Sequence, residues 1–93
     1  MGICRLELRI PFSHSLKEKR SIVKRLMTRV QQRFPVSIAE VECQDVWQKA
    51  VLGMAVVGTG TPFVQGVIEK AINFLENNFD GEIMVTRTEV INV

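Results

Sequence analysis

An α+β sandwich with the element order β-α-β-β-α-β is the fold this sequence predicts, and three observations predict it. The chain opens on a strict two-residue alternation. Two stretches with helical periodicity follow, each behind a start signal, and runs rich in Val and Ile separate and follow them. At 93 residues with no linker-like segment, the chain reads as one domain, residues 1–93.

From Ile3 to Ile10 the side chains alternate, with Cys4, Leu6, Leu8 and Ile10 on one face and Arg5, Glu7 and Arg9 on the other. That is a half-buried strand, and Pro11 ends it. Ser15-Leu16-Lys17-Glu18 has the form of a capping box. Ser15 accepts from a backbone N–H of the first turn while Glu18 reaches back to the N–H of Ser15, so a helix starts at Leu16. Successive residues turn by about 100°, which places Leu16, Val23, Leu26, Met27, Val30 and Phe34 on one arc. Lys17, Arg20, Lys24, Arg25, Arg29 and Arg33 fan over the rest of the circumference, and Pro35 stops the helix.

Val36–Glu42 reads as a second strand whose Glu40 and Glu42 suit a sheet edge. After a polar connection and Trp47, Ala50–Gly58 forms a third strand that is apolar on both sides. Its larger residues, Leu52, Met54 and Val56, are expected toward the helices, with Val51, Gly53, Ala55 and Val57 opposite. Thr61 as cap and Pro62 at the first helical position start a second helix. Its buried stripe is predicted as Phe63, Val64, Val67, Ile68, Ala71, Phe74 and Leu75. Residues 77–81 end that helix, and Glu82–Val93 supplies the last strand. Each half thus contributes strand, helix and strand. This is the split-βαβ, ferredoxin-like arrangement: a four-stranded antiparallel sheet with two helices on one face.

Hydrophobic residues make up 46% and charged residues 24%, an ordinary globular balance that excludes a disordered chain. No apolar run approaches the roughly 20 residues that span a bilayer, and the first residues lack the basic-then-apolar order of a signal peptide. A cytoplasmic location without membrane contact is expected. Cys4 and Cys43 lie far apart with no C-x-x-C spacing, and read as small core residues in a reducing compartment.

The net charge of +2 conceals a strong asymmetry. Residues 1–33 carry nine basic side chains against two acids, and residues 34–93 carry three against eight, so +7 is followed by −5. Seven of the cations, Lys17, Lys19, Arg20, Lys24, Arg25, Arg29 and Arg33, fall on the first helix with only Glu18 opposing them. Mutual repulsion on one helix costs stability. Phosphate binding accounts for the cluster, because each neutralised phosphate releases condensed counterions. The alternatives are an acidic protein partner, or a solvated face paired with Glu40, Glu42, Glu69 or Glu76.

The run Ser15-Leu16-Lys17-Glu18-Lys19-Arg20, followed by Arg33-Phe34-Pro35-Val36-Ser37, Ala39-Glu40-Val41 and residues 44–53 around Trp47, resembles the YlxP-like family of uncharacterised bacterial proteins. The likeness covers nearly the whole chain. It implies a small ferredoxin-like domain without established catalytic residues. Genes of that family often lie near those of ribosome-binding and translation initiation factors, which implies a link to translation or ribosome assembly.

The remaining candidates carry weaker signals. His14, the single histidine, has no partner for acid–base work nearby in sequence. Glu40, Glu42 and Asp45 suit edge protection and ion pairs better than a cation site. Gly58-Thr59-Gly60-Thr61 lacks the G-K-[ST] of a phosphate loop and reads as a turn. The expectation is therefore a non-enzymatic accessory protein without metal or cofactor, bound to RNA or a ribosomal particle through the first helix. Contact is expected with backbone or structured RNA, since the outward strand positions offer no tyrosine for stacking. A homodimeric interaction module is the second reading, with Val51, Ala55 and Val57 forming an apolar patch ringed by Arg5, Glu7 and Arg9, and with Trp47 as an exposed anchor. A small-ligand sensor or enzyme of this form is the third.

Overall fold

The computed structural model describes residues 1–92; Val93, the predicted end of the last strand, lies outside the described residues. The elements are β1 (Gly2–Arg9), α1 (Leu16–Arg33), β2 (Ser37–Glu42), β3 (Lys49–Val56), α2 (Thr61–Asn77) and β4 (Glu82–Val90). The strands form one antiparallel sheet in the order β2-β3-β1-β4. Together with the two helices this is the ferredoxin-like α+β fold.

The alternation in β1 does what it predicts: Cys4, Leu6, Leu8 and Ile10 are fully buried. They join Ala50, Leu52, Met54 and Val56 of β3 under Val23, Leu26 and Val30 of α1 and Val64, Val67, Ile68, Ala71 and Leu75 of α2. Each large apolar side chain so enclosed contributes roughly 2 kcal/mol. Met27, Phe34 and Phe74 border this core, the two rings meeting edge-on at 5.8 Å. Phe63 does not join it; more than half of its surface is exposed on the first turn of α2.

Several boundaries differ from expectation. β3 closes at Val56, so Val57 and Gly58 belong to the connection that follows. The N-cap of α2 is Gly60 rather than Thr61, with no side-chain cap bond, and Pro62 lies within the first turn, where its missing N–H is harmless. At α1 the Ser15 hydroxyl accepts from Glu18 N at 3.1 Å, but the Glu18 carboxylate accepts from His14 N at 3.3 Å instead of from Ser15 N. Gly81 is required by crowding: a Cβ there would stand 2.1 Å from the Arg9 carbonyl oxygen and within 3 Å of the Phe79 ring.

The sheet has two edges of unlike character. β2 is short. β4 is longer and largely exposed, with Met84 and Val85 open to water. Its register against β1 slips by one residue at Arg5/Leu6, and the Thr86 hydroxyl donates to the Arg5 carbonyl at 3.2 Å across that irregularity.

Candidate nucleic-acid interface

The outward side of α1 is a continuous cationic surface. Lys17, Arg20, Lys24, Arg25, Arg29 and Arg33 are all exposed. None has a carboxylate within 4.0 Å among the described residues. Arg20/Lys24, Arg25/Arg29 and Arg29/Arg33 are like-charge pairs four residues apart, each unfavourable by roughly 0.2–0.5 kcal/mol. Arg33 is the one with a non-ionic partner, its guanidinium lying 4.8 Å over the Phe74 ring of α2.

Lys19, the seventh predicted phosphate ligand, is not part of this surface. It is 0% exposed. Its ammonium donates to Glu40 Oε2 and the Cys43 carbonyl, both at 2.7 Å, and lies 3.3 Å from the Gln44 and Lys49 carbonyls. A lone buried ammonium would be too costly to keep charged, whereas one carboxylate and a ring of carbonyls replace its hydration shell. Lys19 is a structural cation that ties the start of α1 to the β2–β3 connection. Cys43 takes the left-handed conformation there, at φ 62°. Its carbonyl also accepts from Val46 N at 3.0 Å.

The sequence does contain the signal for this. On the helical wheel Lys19 falls at about 300° when Leu16 is set to zero, between Leu26 and Val30, inside the apolar arc. Charge alone points to the surface; the wheel position points to the core.

On the sheet face away from the helices, cations and anions neutralise one another. Arg5 pairs with Glu42, and Glu7 lies 3.1 Å from Lys49 and 3.9 Å from Arg9. The apolar patch expected here is differently composed. Val51 is only 2% exposed and offers nothing to a partner. Val57 is exposed but lies beyond the strand, and Trp47 projects from the β2–β3 connection at the end of the sheet. Ala55 does line a shallow apolar groove, together with Ile3, Ala39, Val41 and Gly53. Gly53 keeps that groove open, since a Cβ on it would press to 3.1 Å from Val41.

Glu42 pairs with an arginine, as the sequence reading expects, whereas Glu40 turns inward to the buried Lys19 and Asp45 has no ion pair among the described residues. No group of three or more potential metal ligands converges among the described residues. Burial pushes the Cys4 thiol above its ordinary value, opposed by a weak hydrogen bond from Thr88. Among the described residues no helix is long and apolar enough to cross a membrane.

Fold and surface together define a ferredoxin-like domain whose first helix displays six outward cations with no carboxylate partner among the described residues. Residues 1–88 match the family described as "Protein of unknown function (DUF503)", and the chain belongs to that family. It is also similar to the Uncharacterized protein YlxP of Bacillus subtilis (strain 168), 37% identical over 89 residues, a match that covers 96% of this chain and 97% of the relative. The YlxP-like resemblance read from the sequence therefore holds across the domain.

Proposed function

We propose that this protein is a non-enzymatic, cytoplasmic RNA-binding accessory of the translation or ribosome-assembly machinery, and that the outer face of α1 is its contact surface. One observation carries the reading: six exposed cations on one helix have no acidic partner among the described residues, although Glu7, Glu40, Glu42 and Glu89 of the same small domain are each ion-paired. A folded protein tolerates the repulsion of such a face when a polyanion neutralises it. The connection to translation rests on the family resemblance alone.

Co-purification from cell lysate with and without ribonuclease tests the proposal. RNA-dependent retention that falls steeply with salt is the expected result. Retention of a partner that survives ribonuclease excludes RNA as the bridge. The groove of Ile3, Ala39, Val41, Gly53 and Ala55 supports the second reading, a homodimer through the sheet. A light-scattering mass of two chains at high concentration supports it, and a mass of one chain removes it.

A further inference from the structure

The cations of α1 supply charge; a shape lies beside the start of the helix. Phe12, in the β1–α1 connection, leaves 39% of its surface in water. Its ring leans on that of Phe79, with centroids 6.1 Å apart and planes tilted by 55°. Phe79 is nearly buried and forms the floor, and Phe12 is the exposed step above it. Clefts open beside Phe12. One is bounded by Arg25, Arg29 and Asp80, the other by Lys17, Glu18 and Arg25. Of the two acids, Glu18 is already engaged by the His14 N–H.

The connection that carries Phe12 is held on both sides. The carbonyls of Pro11 and Ser13 both accept from Gln48 Nε2, at 3.3 and 3.2 Å. Ile10 N donates to the Gln48 carbonyl at 2.9 Å, and Ser13 N to the Ile10 carbonyl at 3.0 Å. Ser13 is itself fully buried. Phe12 is therefore displayed on a braced turn. An exposed aromatic ring flanked by unpaired guanidinium and ammonium groups offers a π-face to a base and donors to its phosphate. A continuous duplex, with its bases stacked inside, presents nothing that the ring can meet.

We infer that Phe12, with Lys17, Arg25 and Arg29 around it, is a stacking site for an unpaired nucleotide, so that the RNA taken by this protein is single-stranded or bulged next to the phosphates held by α1. This rests on the RNA-binding reading of α1. The test is a fixed-salt titration of the full chain with labelled oligouridylate and with a blunt RNA duplex of equal length. It compares the parent, Phe12→Leu and Phe12→Trp. Leucine keeps apolar bulk on Phe79 while removing the aromatic face. Phe12→Leu is expected to weaken oligouridylate binding roughly ten-fold and leave duplex binding unchanged, with Phe12→Trp restoring the loss. An unchanged oligouridylate affinity in Phe12→Leu, or equal losses for both RNAs, overturns the stacking site and leaves the α1 reading standing. A parent that binds neither RNA at low salt removes both.

Discussion

The two faces of this domain handle charge in opposite ways. On the open face of the sheet, Arg5, Arg9 and Lys49 stand beside Glu7 or Glu42, each within ion-pairing distance of a carboxylate. On α1, six cations stand without any among the described residues. The difference follows from where the acids are. β2 carries Glu40 and Glu42, but Glu40 turns inward to Lys19 and Glu42 turns outward to Arg5. Neither reaches the outer side of α1, and no other carboxylate among the described residues lies within ion-pairing distance of its six cations. Ion pairing thus serves the open sheet face and the inward Lys19, and not the outer side of α1.

The sharpest way to break the contrast is within α1, where one lysine behaves like the core and six basic residues behave like surface. Lys19→Met is expected to lower stability by about 3–5 kcal/mol, read from the denaturant midpoint, because Glu40 and three carbonyls lose their shared donor. A loss below about 1 kcal/mol would mean that the apolar replacement compensates for the pair.

Replacing Lys17, Arg20, Lys24 and Arg25 together by Gln acts on the other population. Stability should stay level or rise slightly as repulsion is relieved. The slope of log affinity for RNA against log salt should fall by about 3, near 0.7–0.9 per lost cation. An unchanged slope assigns the phosphate contacts elsewhere.

Ser15→Ala tests how firmly the start of that surface is set. The hydroxyl accepts from Glu18 N at 3.1 Å, and stranding this donor should cost about 1 kcal/mol by chemical denaturation. A variant as stable as the parent removes the capping role. The smallest effect is expected on the sheet. Arg5→Ala breaks an exposed ion pair with Glu42 and should cost about 0–1 kcal/mol, which a double-mutant cycle with Glu42→Ala measures. A coupling well above 1 kcal/mol would mean that pairing on this face stabilises the sheet more than exposed ion pairs usually do.

Much of the fold was legible because it is written in local signals. The alternation of Cys4, Leu6, Leu8 and Ile10, the Ser15 cap and the Pro35 stop each act over a few residues, and each has the predicted consequence. The element order then leaves few antiparallel arrangements, and the split pairing of β1 between β3 and β4 is the one observed. Phe63 and the cap of α2 depart from the sequence pattern because burial and capping at a helix end depend on what lies opposite.

The candidate site was legible only as composition. Runs of Lys and Arg show in the sequence that α1 is basic, and helical periodicity shows which side of it faces out. Whether any of those charges is already neutralised depends on acids far along the chain, and only packing brings them near or keeps them away. Lys19 meets Glu40 across 21 positions, while the outer cations pair with none among the described residues. Phe12 likewise reads in the sequence as one more apolar residue after a strand. It is the fold that sets it against Phe79 and beside Arg25, because those neighbours arrive from the α2–β4 connection and from the third turn of α1. Local structure follows from interactions over a few residues, whereas a binding surface is a sum over residues that meet only once the chain has folded.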